Sequence, residues 1–145
     1  GALHAELSRR VTPDWRATPQ ARLAAVIVLD QFSRNLFRGS AAAFAQDAKA
    51  QALADLAIER GDEAVLTAKQ RQFLYLPFMH GEDKASQARS VALFEALGDA
   101  DALLFAQAHR DVIARFKRFP SRNEALGRTT TPAEAAWLAS PEARF

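Results

Sequence analysis

Apolar residues recur along this chain at the three- and four-residue spacing of amphipathic helices, and no segment alternates as a half-buried strand does. Residues that start and stop helices divide the pattern, for example Thr18 with Pro19 at a start and Gly39 at a stop. The pattern predicts six helices, at residues 19–37, 41–60, 67–77, 84–97, 101–116 and 132–138. Residues 1–15 are predicted to be a partly polar lead-in, and residues 119–128 a loop with at most one helical turn.

Short links join these helices, which favours antiparallel neighbours. The sequence therefore predicts an all-α fold of antiparallel helical hairpins, arranged either as a compact bundle or as a tetratricopeptide-like right-handed superhelix. The 34-residue signature of tetratricopeptide repeats is absent, so both arrangements stay open. The length of 145 residues suits one domain, and we expect residues 1–145 to form a single helical domain that lacks an N-terminal segment.

The first predicted helix changes character halfway along. Its first half, residues 23–29, is apolar on every side, which is typical of a helix at the centre of a domain. At helical spacing, the stripe that begins with Leu23 and Ile27 continues with Asp30, Arg34 and Arg38. A buried charge is costly unless it is paired, so we expect Asp30 to be buried and ion-paired, with Arg34 as the nearest partner.

Composition and charge narrow the classes of function. The formal net charge is +2, and 15 Arg stand against 4 Lys. Nonspecific nucleic-acid binders usually show a larger excess and more lysine, so we expect no nucleic-acid partner. The chain has no cysteine, no signal peptide and no apolar run of the ~20 residues that span a membrane, so we expect a cytoplasmic protein without a membrane partner. The oligomeric state stays open.

Arginine, the dominant cation here, is the residue of planar carboxylate or phosphate recognition and of internal ion pairs. Arg118, Arg122, Asn123 and Arg128 fall in the predicted loop ahead of a helix start at Thr131, and such a loop has the parts of a phosphate or carboxylate cradle. Earlier in the chain, the stripe of Asp30, Arg34 and Arg38 suits either an anion-binding edge or an internal ion-pair network. Both interpretations remain open at each cluster.

Three histidines, at positions 4, 80 and 109, would limit any metal site to mixed His and carboxylate ligands, and no metal or other cofactor is predicted. The run from His80 to Asp83 permits an acid/base or metal cluster, or a turn in which Glu82 or Asp83 caps the next helix. His109 lies on an apolar helix face, where a hydrogen-bonded core histidine is the simpler interpretation.

Three stretches carry a family resemblance: residues 29–39 (LDQFSRNLFRG), 73–83 (FLYLPFMHGED) and 116–128 (FKRFPSRNEALGR). On these motifs the chain resembles the bacterial domain of unknown function 924 family, whose fold is placed among the tetratricopeptide-like helical proteins. The likeness spans residues 18–138, and it implies a helical fold but no established activity. The family pattern has Gly where this chain has Lys117 and Ser where it has Gly81, and members usually carry a further helical segment ahead of the part seen here.

The three motifs are expected to meet in space, because pooling their polar groups satisfies all of them at once. We predict a noncatalytic binder of a small anionic molecule or of a peptide carboxylate. The predicted ligand-binding residues are Asp30, Arg34, Asn35, Arg38, Arg118, Arg122, Asn123 and Arg128.

The alternative function is a hydrolase, with or without a divalent metal. Its candidate catalytic residues are His80, Glu82, Asp83 and His109. No serine nucleophile elbow, phosphate-binding glycine loop or His-Glu-x-x-His motif supports this alternative. In the binding hypothesis, at least one guanidinium fork should be left facing solvent or a bound anion, and Arg122 is expected to be a surface residue whose loss barely changes stability.

Overall fold

A computed structural model describes residues 1–145. The chain folds into helices joined by short turns and contains no strand. The helices are α1 (Ala2–Arg9), α2 (Pro13–Arg16), α3 (Pro19–Ile27), α4 (Ser33–Leu36), α5 (Asp47–Glu59), α6 (Ala68–Met79), α7 (Lys84–Leu97), α8 (Ala100–Phe116) and α9 (Pro132–Leu138). Short 3-10 turns occupy Ala41–Ala43, Asp62–Val65 and Pro120–Arg122. The prediction of an all-α fold is confirmed.

Most of the predicted helix ends are found where the capping residues placed them. The side chains of Thr18 and Thr131 accept hydrogen bonds from backbone N–H groups in the first turns of α3 and α9. Thr67 does the same for α6, within a complete capping box. Gly61 and Gly98 follow α5 and α7 with left-handed φ angles of +77° and +80°, a conformation that glycine adopts without strain.

Three of the predicted boundaries are wrong. The lead-in is helical, because α1 buries Leu7 in the core and His4 against Ser33. The predicted helix 41–60 is a 3-10 turn at Ala41–Ala43, and the α-helix begins only at Asp47. Ser40 caps neither of them with its side chain and donates its hydroxyl to the carbonyl of Phe37. Pro77 lies inside α6, which continues to Met79 because burial of its last residues holds the final turn in place.

Two groups of buried apolar side chains make up the core. The larger has 18 residues and is built mainly by α3, α5 and α6, with Phe94 of α7 and Ala106 of α8 completing it. The smaller consists of Val112, Ile113, Phe119 and Trp137, under the C-terminal part of the chain. Helices that follow one another from α5 to α8 pack together, as expected of helical hairpins.

Between α3 and α4, the helix widens into a π-helical turn at Val28–Phe32, so the helical path runs without a break from Pro19 to Leu36. Side chains bond to two carbonyls of this turn: Ser33 Oγ donates to Leu29 O at 2.6 Å, and Arg34 Nη1 donates to Asp30 O at 3.1 Å. Wide turns of this kind are rare and often lie at functional sites. This one contains Asp30 at its centre.

A buried ion pair fastens α3 to the turn after α5. Arg22 Nε and Nη2 donate to the two carboxylate oxygens of Asp62, each at 2.6 Å, and Arg22 also bonds to the carbonyl of Arg16. Both side chains are at most 4% exposed. The sequence analysis did not find this pair, because the residues lie 40 positions apart.

We predict that Asp62→Ala lowers the free energy of unfolding by about 3–5 kcal/mol, because it leaves the buried Arg22 guanidinium without its partner. Urea denaturation measures the loss. The matched control is Asp55→Ala, which breaks a pair with Arg89 in which both side chains are more than 40% exposed and which should cost at most about 1 kcal/mol. Equal losses for the two variants would contradict the prediction.

Candidate functional site

Three segments that are distant in the sequence meet at one pocket, as the sequence analysis expected. The pocket has a volume of about 320 Å³. It is lined by Arg34, Phe44, His80, His109, Phe119, Ser121, Arg122 and Phe145. The pocket therefore combines two guanidinium groups, two imidazoles and three phenyl rings.

Asp30 lies directly behind the pocket and has no exposed surface. Its Oδ1 lies 2.8 Å from His80 Nδ1 and 3.1 Å from Arg34 Nη1, and its Oδ2 accepts a hydrogen bond from Gln31 Nε2 at 2.6 Å. Burial by itself would raise the pKa of Asp30, but the contacts with His80 and Arg34 outweigh it and lower the pKa to about 2. The prediction of a buried, ion-paired Asp30 is confirmed, and His80 is a partner that was not foreseen.

Arg34 connects Asp30 to α5. Its Nη1 and Nη2 donate to the two carboxylate oxygens of Asp47 at 2.8 and 3.0 Å, which is the bidentate arrangement that arginine favours. Burial lowers the pKa of Arg34, but the carboxylates of Asp47 and Asp30 outweigh it, so the net shift is upward. Asp47 was absent from the predicted site. It lies in the first turn of α5, where an acidic residue is usually explained by the helix dipole, so its position gave no sign of a role in the site.

The turn between α6 and α7 presents His80 to the pocket. Buried Gln87 of α7 donates from its Nε2 to the carbonyls of Met79 and Gly81, on either side of His80, at 2.8 Å each. A Cβ atom at position 81 would lie only 2.6 Å from Ser86 Cβ, so the close approach of α7 requires glycine there. A side chain at position 81 would force Ser86 to shift.

Glu82 and Asp83, which follow in the same turn, have structural partners. Asp83 caps α7, with Oδ1 accepting from Ser86 N at 2.7 Å. Glu82 receives both Nη groups of Arg128, at 3.0 and 3.1 Å, and the backbone N–H of Phe119 at 2.6 Å. Glu82 therefore ties this turn to the loop after α8.

That loop begins with a left-handed residue, Lys117, whose φ is +63°. Glycine adopts this conformation more readily than lysine does, so the backbone is strained at this residue. Further along the loop, Arg128 Nε donates to Asn123 Oδ1 at 3.0 Å, and Asn123 Nδ2 lies 3.4 Å from Glu134 Oε2. Buried Asn123 therefore links Arg128 to Glu134 and holds the loop against α9.

Arg118 lies at the outer side of the network. Its Nε and Nη2 donate to the two carboxylate oxygens of Glu134, at 2.8 Å each. The Arg118 hydrogen bonds, reinforced by those from Thr131 and Asn123, lower the pKa of Glu134 strongly against the opposing effect of burial. The sequence analysis did not place Glu134 in the site; in the structure it also completes the capping box of α9 with Thr131.

Arg122 is the least completely paired guanidinium of the network. Its Nη2 donates to the carbonyl of His80 at 2.9 Å, but its Nη1 lies 3.5 Å from Asp47 Oδ2 and 3.7 Å from Glu82 Oε1, because Arg34 and Arg128 already occupy those carboxylates. Burial lowers the pKa of Arg122; Arg34 and Arg128 add to the lowering, while Asp47 and Glu82 oppose it. The expectation that Arg122 is a surface residue is wrong, because the loop folds back and leaves it 9% exposed.

Aromatic rings surround Arg122. Its guanidinium carbon lies 4.5 Å from the ring centroid of Phe44 and 4.7 Å from that of Phe119. Such cation–π contacts favour the charge but supply no hydrogen-bond acceptor. The rings therefore add no acceptor to the two that Arg122 has, the carbonyl of His80 and the distant Oδ2 of Asp47.

His109 is held in the second core group. Its Nδ1 donates to the carbonyl of Phe105 at 2.7 Å, and its ring stacks on that of Phe145 with centroids 3.7 Å apart. Burial lowers the pKa of His109 to about 4. Its ring centroid is 6.4 Å from that of His80, so the two imidazoles face the same pocket without touching.

Two of the predicted ligand-binding residues lie outside this network. Asn35 is exposed on α4, and Arg38 is exposed beyond the end of that helix. The stripe predicted from helical spacing therefore leaves the pocket after Arg34. No group of three or more His, Asp or Glu side chains is arranged to hold a metal ion, and no helix is long and apolar enough to cross a membrane.

The fold and the site define an all-α protein with a pocket closed by a network of four arginines and four carboxylates. The family model for bacterial proteins of unknown function called DUF924 matches residues 1–142. The chain therefore belongs to the DUF924 family, as its motifs indicated.

A solved structure of similar fold is that of the protein of unknown function ATU0120 from Agrobacterium tumefaciens. It has 42% sequence identity and a TM-score of 0.85, and the match covers 95% of this chain and 75% of the other. Among curated proteins, no similar sequence was found.

We predict that Asp30→Ala lowers the free energy of unfolding by about 3 kcal/mol, the lower end for a broken buried pair, because Arg34 retains Asp47. The contribution of the Asp30 charge should disappear as the pH falls from about 4 to about 2, since folding lowers the pKa of this carboxyl. Urea denaturation at several pH values measures both effects. Asp111→Ala, at an exposed ion pair with Arg110, is the control and should cost at most about 1 kcal/mol.

We predict that the protein loses up to about 3 kcal/mol of stability between pH 6.5 and pH 4 through His109. The pKa of His109 is lower in the folded state than its ordinary value, so the unfolded chain takes up the proton first and gains stability as the pH falls. His109→Gln, measured by urea denaturation over the same pH range, should flatten this dependence. An unchanged slope in the variant would refute the assignment.

Proposed function

We propose that the protein binds a small molecule carrying a carboxylate or phosphate group in the pocket between Arg34 and Arg122. The observation that carries the proposal is the incomplete pairing of Arg122. A largely buried guanidinium usually has a carboxylate of its own, whereas the carboxylates nearest to Arg122 are already engaged by Arg34 and Arg128. An anionic ligand would supply the missing acceptor.

The rest of the pocket supports a ligand with a compact apolar body behind its anionic group. The volume of about 320 Å³ is at the low end for small-molecule sites, which usually lie between about 300 and 1,000 Å³. Phe44, Phe119 and Phe145 provide apolar lining, and Ser121 provides a hydroxyl group. Such a lining suits a short carboxylic acid or a small phosphate ester better than a bare inorganic ion.

The proposal predicts stabilisation by anions. Phosphate, sulfate, succinate and citrate, each compared with sodium chloride of equal ionic strength, should raise the melting temperature in a thermal-shift assay. A ligand at a hundred times its Kd should add about 2.7 kcal/mol to the free energy of unfolding. If none of these anions shifts the melting curve relative to sodium chloride, the arginines are structural and the proposal is wrong.

Variants separate the pocket from general charge effects. Arg122→Lys keeps the positive charge but loses the planar fork, so it should remove most of the shift while stressing the fold less than alanine would. Arg38→Gln is the matched control, because it removes an exposed arginine outside the pocket. If Arg38→Gln abolishes the anion-induced rise in melting temperature and Arg122→Lys preserves it, the anion binds at the edge formed by Asp30, Arg34 and Arg38 and not in the pocket.

A further inference from the structure

His80 differs from the other pocket histidine, His109, in being oriented by a fully buried carboxylate. Its Nδ1 lies 2.8 Å from Asp30 Oδ1, and Asp30 is ionised in the folded protein, so it can only accept a hydrogen bond. The proton of the neutral imidazole must therefore be on Nδ1, and the lone pair on Nε2. Since Nδ1 is bonded to Asp30 and the ring lines the pocket, Nε2 is the nitrogen left for a ligand.

We propose that Asp30, His80 and Arg122 form a catalytic site that hydrolyses small anionic esters, with His80 as the general base. This inference rests on the proposed binding of an anion at Arg122. His80 and Arg122 would be the catalytic residues, because both would touch the substrate. Asp30 would be a positioning residue that acts through His80.

The placement of the anion follows from one contact. Arg122 Nη2 donates to the backbone carbonyl of His80 at 2.9 Å, so an anion held by the remaining donors of Arg122 lies beside the imidazole of the same residue. Arg34 lines the same pocket and forms an ion pair with the same Asp30 oxygen that His80 contacts. The arginines, the base and its carboxylate therefore form one connected group.

The reaction needs only water as the second substrate. His80 Nε2 removes a proton from a water molecule while the water oxygen bonds to the phosphorus or the carbonyl carbon of the ester. The bond from that atom to the leaving oxygen then breaks, and Nε2 returns the proton to that oxygen. The products are an acid anion and an alcohol, and Arg122 stabilises the negative charge that develops on the ester oxygens.

The other two histidines lack this arrangement. His4 is buried with its Nε2 2.7 Å from Ser33 Oγ and its Nδ1 3.3 Å from Ser8 Oγ, so both of its nitrogens are engaged. His109 bonds to a backbone carbonyl in place of a carboxylate. His80 is therefore the histidine on which hydrolysis should depend, and His4 provides a matched control.

Hydrolysis of 4-nitrophenyl phosphate and of mono-4-nitrophenyl succinate tests the inference, with release of 4-nitrophenol as the readout. We expect the protein to hydrolyse at least one of them, and His80→Gln to lower kcat by about 10²- to 10⁴-fold. His4→Gln should leave kcat unchanged, and added imidazole should restore part of the activity of His80→Ala. Absence of hydrolysis of both esters, or equal kcat in the protein and His80→Gln, would overturn the inference.

A second measurement needs no substrate and no variant of the buried Asp30. Nitrogen-15 NMR of the histidine rings reports which nitrogen carries the proton, and His80 should be the Nδ1–H form. An Nε2–H form would overturn the general-base role. Failures remain distinguishable, because a phosphate-induced thermal shift without hydrolysis overturns only the catalytic inference, whereas loss of both overturns the anion site as well.

Discussion

The buried carboxylate of Asp30 is the constraint on which the rest of the site depends. A charge with no exposed surface is tolerated only when donors surround it, and here they come from Gln31 and Arg34 on its own helix and from His80 in the turn after α6. The need to pair the Asp30 charge therefore fixes the position of the turn after α6. The π-helical turn at Val28–Phe32 belongs to the same group of contacts, because the backbone carbonyl of Asp30 also accepts a hydrogen bond from Arg34.

The four arginines of the network are paired with carboxylates to different degrees. Arg34, Arg128 and Arg118 each hold a carboxylate with two hydrogen bonds, and each of these pairs joins two different segments of the chain. Charge balance across the network is therefore formally complete, yet geometry leaves Arg122 with only long contacts to carboxylates. Stability explains the three closed pairs, whereas the incomplete pairing of Arg122 is the observation on which the proposed anion site rests.

The pocket is lined by residues that belong to, or directly follow, both apolar groups of the core. His80 follows Met79 of the larger group, while Phe119 belongs to the smaller one and supplies a ring to the pocket lining. Buried polar groups need hydrogen-bond partners, which is why the network is dense there. A mobile surface loop could not hold arginines with this precision, whereas buried Gln87 and Asn123 brace the two turns from behind.

The sequence by itself determined the helical fold, most helix ends and the burial of Asp30, because caps, glycine stops and apolar periodicity act over a few residues. The tertiary structure alone decided the partners. Asp47 and Glu134 pair with arginines that lie 13 and 16 positions away, and Arg22 pairs with Asp62 at 40. The packing of the helices determines which partners the long side chains can reach, and this packing cannot be derived from a local sequence pattern.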